Sequence, residues 1–335
     1  MTHPAVRLLL PVALGVSLCL GSARAQEPAP QPATGPEQVT VGVYVSDVMR
    51  VDLKAHSYEV NFYVWFRWRN RELSPHQTIE FVNTTDLWGL SVTPDTEEPI
   101  ELPSGELYQV LRVQGLFSRK LPLYSYPFDR QTLVVDFEDT VNLTDVLVHV
   151  PDAVPVKLDP ELTLPGYEIG EPALTVGPHR YPTSFGDTRF PTPGSFSRVR
   201  LEIPITRPFA AYALKLLLPV LCVVLTASLM FLLPPGRVDA LVGIGITALL
   251  TVVALQITTN EELPDVAYLI FMDKVYIGAY VYIIAGLGQV VRATQLMEKD
   301  GKEQALRLQR RGLIALTGLF LAAVLALTVQ AMIAG

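Results

Sequence analysis

Between Val39 and Arg207 apolar and polar side chains alternate in short runs. VTVGVYV, SYEVNFYVWFRW and RVRLEI are the clearest, rich in β-branched and aromatic residues, with Pro, Gly, Asn and Asp clustered between the runs. Side chains two apart share one face of a strand. In SYEVNFYVWFRW that puts Tyr58, Val60, Phe62, Val64, Phe66 and Trp68 on a core face. Glu59, Asn61, Tyr63, Trp65 and Arg67 take the other, a mixture of aromatic and polar groups that suits a contact surface better than plain solvent. Several such strands over about 170 residues without a long amphipathic helix predict an all-β, immunoglobulin-like sandwich.

After Arg207 and Pro208 the pattern changes to four long apolar runs, at 209–233, 239–259, 267–291 and 312–334, each long enough to cross a bilayer as a helix. The chain therefore reads as an extracellular β domain, 38–207, followed by an all-α four-helix transmembrane domain, 208–335. Ahead of both, residues 1–25 carry Arg7, an apolar stretch from Leu8 to Leu20 and the small residues Ala23 and Ala25, the pattern of a secretory signal. Residues 26–37 are rich in Pro and polar groups and predict a disordered tether. Secretion puts the β domain outside, and the basic loop expected at 292–311 then lies in the cytoplasm, as the distribution of Lys and Arg demands. One loop of about twenty residues leaves no room for a cytoplasmic effector domain, so any output must occur in the membrane.

The second apolar run has acidic ends. Stepping by threes and fours from Asp239 reaches Gly243, Thr247, Leu250, Ala254, Ile257 and Glu261, one face of a helix. Carboxylates facing lipid are costly, so this face either borders a water-filled space in a symmetric oligomer or belongs to an ordinary helix whose terminal acids reach the headgroups.

Composition removes other classes. A net charge of −7 and a pI near 5.3 offer no basic patch for nucleic acid. Cys19 in the leader and Cys222 in an apolar run leave the mature β domain no disulfide. The five histidines lack metal-ligand spacing, and no phosphate loop, nucleophile elbow or zinc helix is present, so neither an enzyme nor a cofactor or metal protein is expected. The glycine pairs Gly243/Gly245 and Gly286/Gly288 read as helix-packing positions.

The chain carries Trp68 on the second strand, Tyr126-Pro-Phe-Asp129-Arg-Gln131 in a turn, Arg207 before the first membrane helix, Pro219 inside it and Leu263-Pro264-Asp-Val-Ala-Tyr268 between the second and third. In this order these motifs resemble the pentameric ligand-gated ion channels of the Cys-loop superfamily, with the Tyr126–Gln131 stretch looking like the turn of that family's signature loop. The cysteines that flank the signature loop in animal receptors are absent and the cytoplasmic loop is short, as in bacterial members. The resemblance thus implies a homopentamer in the inner membrane of a bacterium, multi-pass, among membrane lipids, passing monovalent cations in response to a small-molecule agonist.

It further implies that Asp239, Gly243, Thr247, Leu250, Ala254, Ile257 and Glu261 line the pore, with Leu250 as the gate and Asp239 as a selectivity ring. Anion-selective members carry Pro-Ala where this chain has Asp239-Ala240. Asp129, Arg207, Pro127 and Pro264 would couple the two domains. Tyr63 from one subunit and Glu80, Glu138, Tyr181 and Phe196 from its neighbour would bind the agonist, either a protonated amine through cation-π and charge-assisted contacts or the proton itself. The competing class is a membrane-anchored periplasmic sensor or binding protein that conducts nothing.

Overall fold

The computed structural model describes residues 35–186 and 194–334. The leader and nearly all of the tether lie outside the described residues, while Glu37, expected in the tether, already opens the first strand. β1 (Glu37–Asp52) and β2 (Ser57–Trp68) form an antiparallel pair. A single turn, α1 (Pro75–Thr78), leads into β3 (Ile79–Phe81), followed by β4 (Ser91–Pro94), β5 (Ile100–Glu101) and β6 (Leu107–Ser118). β7 (Arg130–Asp139), β8 (Leu147–Leu158), β9 (Glu168–Ile169), β10 (Ala173–Arg180) and β11 (Ser195–Thr206) complete the domain.

Two sheets face each other. One runs β4-β6-β2-β1-β8 with β5 at the edge of β6; the other runs β10-β11-β7-β3 with β9 beside β11. Their inner faces hold the alternate residues of β2, Tyr58 to Trp68, all buried to 1% exposure or less, against Val39, Val41 and Val43 of β1 and Val199, Leu201 and Ile203 of β11. Each such side chain contributes ~1.5 to 3 kcal/mol by leaving water, which fixes the register without a disulfide. The sandwich of the sequence reading is the sandwich observed.

The membrane domain consists of α2 (Phe209–Ser228), α3 (Val238–Glu261), α4 (Phe271–Asp300) and α5 (Lys302–Ala334), four helices long and apolar enough to cross a bilayer. α2 tightens into a 3-10 turn at Leu229–Phe231 and stops before Pro234-Pro235, because a residue ahead of proline avoids the helical region. The expected loop at 292–311 is instead helical on both sides of a single break at Gly301, whose φ of 91° is the left-handed conformation that favours glycine. Its charges do not end the helices. RATQLMEKD and KEQALRLQRR are made of strong helix formers, and the hydrogen bond from Gln289 Nε2 to Leu308 O (2.7 Å) joins the two helices there. Hydroxyls link three of the helices: Ser228 Oγ lies 2.7 Å from Tyr282 Oη, which lies 3.1 Å from Thr317 Oγ1.

Candidate functional site

The rotation of α3 is set by one buried face. Leu241, Gly245, Ala248, Val252 and Thr259 are buried, and a Cβ on Gly245 would meet Leu287 of α4 at 2.4 Å, so glycine there permits the close approach of the two helices. Thr259 Oγ1 and Tyr276 Oη, 2.7 Å apart, lock the upper end. All seven positions of the acidic-ended face, from Asp239 to Glu261, are exposed, Leu250 to 64%. Gly243 faces open space, so within each glycine pair only one member packs: Gly245 in α3, and Gly286 of α4, against Met230.

At the meeting of the domains, Arg207 Nε lies 3.5 Å from Asp129 Oδ1, with the two side chains 6% and 4% exposed. Asp129 Oδ2 also accepts from Gln131 Nε2 at 2.6 Å. The guanidinium is enclosed by three aromatic rings, those of Tyr167 at 4.5 Å, Tyr212 at 4.9 Å and Tyr126 at 5.1 Å, and donates to the Tyr167 hydroxyl at 2.5 Å. Burial pushes the Tyr167 hydroxyl up to about 12, which keeps it neutral beside the carboxylate. Pro127, buried in a cis linkage to Tyr126, turns the loop inward. Phe128 then reaches Phe209 of α2 at 4.8 Å and Phe271 of α4 at 5.1 Å, while Tyr124 stacks on Tyr268 at 3.9 Å. Pro264 borders a small cavity beneath Leu123. Asp129, Arg207 and Pro127 thus meet in one place. Tyr167 and Tyr212 went unnoticed in the sequence because an isolated aromatic in a turn or a helix start carries no local signal.

The third group lies on the five-stranded sheet. Register sets Glu138 of β7 opposite Arg198 of β11 and Glu80 of β3. Glu138, 2% exposed, accepts from Arg198 Nε at 2.8 Å and from Tyr181 Oη at 2.5 Å, and Arg198 Nη2 donates to that same hydroxyl at 2.8 Å. Burial, then the hydrogen bond to Glu138, pushes the Tyr181 hydroxyl up to about 12. Around the Tyr181 ring stand His179 at 4.7 Å, Phe185 at 5.2 Å and Phe196 at 6.0 Å. Of the two acids expected at the agonist site, Glu138 is thus engaged within the chain, whereas Glu80 is exposed. Tyr63 belongs to the other sheet, beside Arg112 at 6.0 Å, so a single chain does not bring it to Tyr181.

No family model matches the chain. It is 22% identical over 277 residues to the "Glutamate-gated chloride channel subunit beta" of Haemonchus contortus, a match covering 75% of this chain and 62%, less than two thirds, of that protein. To the "Proton-gated ion channel" of Gloeobacter violaceus it is 23% identical over 323 residues, covering 88% of this chain and 84% of that one. A match over 88% of the chain takes in both the sandwich and the helices.

Proposed function

Because this chain belongs to the pentameric ligand-gated ion channels of the Cys-loop superfamily, we propose that five copies surround a cation-selective pore lined by α3 and opened by an agonist held between neighbouring β domains. One relative is named for chloride, and the other's name gives the proton that gates it but no permeant ion, so the ion must be read from this chain's own residues. The observation that carries the reading is the exposed face of α3, polar or small at Asp239, Gly243 and Thr247, apolar at Leu250, Ala254 and Ile257, and acidic again at Glu261. In a closed ring, Asp239 makes an acidic mouth that concentrates cations and opposes anions, and Leu250 makes a constriction that closes by dewetting. The β domain lies outside the cell membrane and the Gly301 turn inside. A non-conducting sensor would account for the acids at the two ends of α3 only by headgroup contact and leaves the exposed face between them without a role.

Selectivity is the direct test. Asp239→Asn in planar bilayers should lower the cation-to-anion permeability ratio or the conductance, with a smaller effect for Glu261→Gln at the wider, better-screened mouth. Unchanged reversal potentials in a salt gradient together with unchanged conductance would remove Asp239 from the pore.

For the agonist, the arrangement around Tyr181 favours an amine held by aromatic faces, with Glu80 as the exposed carboxylate and Tyr63 supplied by the neighbouring subunit. Glu138 serves that site indirectly by fixing Tyr181 and Arg198. Tyr181→Phe keeps the ring and removes its internal hydrogen bonds, while Phe196→Ala removes a wall. Amine responses that survive both Phe196→Ala and Glu80→Gln would move the site elsewhere, and acid responses lost in Glu80→Gln alone would make the proton the agonist.

A further inference from the structure

A cavity of about 540 Å³ opens where the sandwich meets the helices. His56 of the β1-β2 turn, Arg119, Lys120 and Tyr124 entering the signature loop, Arg130 leaving it and Tyr268 of the α3-α4 connection form its walls. Three permanent cations and no carboxylate line it, in a chain whose net charge is −7. Arg119, Lys120 and Arg130 are exposed, and among the described residues none takes part in an ion pair. The acid on the same loop, Asp129, is already held by Arg207 and Gln131.

His56 adds a donor. Its Nδ1 accepts the Leu121 N–H at 3.3 Å, so the neutral ring carries its proton on Nε2. Its backbone stands at φ 51°, a left-handed conformation costly for a residue with a Cβ, and the turn is held there by Asp52 Oδ1 accepting from Ala55 N at 2.9 Å. Three unneutralised cations around one cleft, with no acid among them, raise the local concentration of anions there.

We propose that this cavity binds a phosphate-type oxyanion, whose several oxygens match donors that approach from separate walls. Its place beside the α3-α4 connection, at the end of the helices, puts it within reach of a phospholipid headgroup as well as of free phosphate. Either source bridges His56, Arg119, Lys120 and Arg130 of the β domain to the Tyr124-Tyr268 stack that joins it to the helices. Occupancy therefore stiffens the junction, and this holds whichever agonist acts above it.

The test uses the full-length protein, delipidated in neutral detergent. In one arm inorganic phosphate replaces chloride at constant ionic strength and the apparent melting temperature is read. In the other, dioctanoyl phosphatidylglycerol is compared with dioctanoyl glycerol, which lacks the phosphate, and retained molecules are counted by native mass spectrometry. Stabilisation by phosphate assigns the free ion; retention of phosphatidylglycerol without it assigns the headgroup. Arg119→Gln with Lys120→Gln and Arg130→Gln should weaken whichever ligand binds by about tenfold or more, the worth of losing charge-assisted hydrogen bonds, while Arg292→Gln with Lys299→Gln leaves binding intact. If the triple variant does not fold, the charge-keeping Arg119→Lys with Arg130→Lys and the single Lys120→Gln replace it, the first retaining the ligand and the second weakening it. The proposal fails if neither ligand exceeds its control in the wild type, or if the neutralised variants bind as tightly as it does.

Discussion

Asp129 at the junction and Asp239 on α3 are both carboxylates next to apolar surroundings, and the chain treats them oppositely. Asp129 is 4% exposed and has Arg207 and Gln131 as partners inside a wall of aromatic rings. Asp239 is exposed and has no partner among the described residues, as is true of the Glu261 carboxylate at the far end of the same helix. A charge the chain neutralises by itself holds the fold together and is costly to disturb. A charge left open on a membrane helix is tolerated only where water or another subunit meets it. The same contrast divides Glu138 from Glu80 in the β domain, one enclosed by Arg198 and Tyr181, the other exposed.

Breaking the enclosed side of that contrast has the largest expected effect. Arg207→Ala leaves Asp129 charged, buried and alone, which costs ~3 to 5 kcal/mol and should abolish detergent-stable protein in a thermal assay read by size-exclusion chromatography. Asp129→Asn combined with Arg207→Gln removes both charges and should recover much of the loss. A single Arg207→Ala variant as stable as wild type would show that the junction is not sealed. The open side predicts the reverse, since Asp239→Asn should change permeation and leave the melting temperature within a degree or so.

A buried base sharpens the comparison in the direction of pH. His149 of β8 is 2% exposed, its ring 6.2 Å from Phe66 and its Nδ1 3.0 Å from Ser197 O. Burial holds its pKa down, from 6.5 to about 4. The unfolded chain therefore binds this proton more readily than the fold between those two values. The stability due to neutral His149 is complete above pH 6.5 and is lost as pH falls toward 4, by up to about 3 kcal/mol. Urea unfolding at pH 7.5 and pH 5 should show the loss in the wild type and a flatter dependence in His149→Gln. Equal slopes in both would place the acid sensitivity of the sandwich elsewhere, and an acid-evoked current unchanged in His149→Gln separates gating by Glu80 from simple destabilisation.

What the sequence disclosed follows the reach of each signal. Alternation in β2 identified its buried residues because period two is a local property. The three- and fourfold steps from Asp239 identified a face of α3 that the structure leaves exposed for the same reason. The chain around 292–311 misled because charge and helicity are independent: those residues are rich in charge yet keep their helix. The partner of Glu138 was not legible because it lies 60 residues away, and only strand register brings Arg198 to it. The rings around Arg207 come from Tyr126, Tyr167 and Tyr212, three separate segments that nothing local connects. Asn83 is a further case, since its side chain donates to Ser118 O and Val134 O and accepts from Asp136 N, pinning β3 to β6 and β7 across distances no local pattern reports.

The smallest expected change in free energy, and the one most specific to the open face, concerns Leu250. It is 64% exposed in the single chain, midway along α3, and about three turns from either charge on that face. Five leucines brought together at that level exclude water from a narrow pore, so the closed state is favoured by the cost of wetting them. Leu250→Thr adds a hydroxyl at nearly constant backbone geometry and lowers that cost. A gain for the open state of ~1.4 kcal/mol shifts the agonist response about tenfold toward lower concentration and raises the resting current. Val252→Thr, two residues on but on the buried face against α4, should leave the dose response in place and lower stability instead. An unshifted response in Leu250→Thr with a shifted one in Val252→Thr would mean that gating is controlled from the packed side of α3, and the division between its enclosed and open faces would not hold.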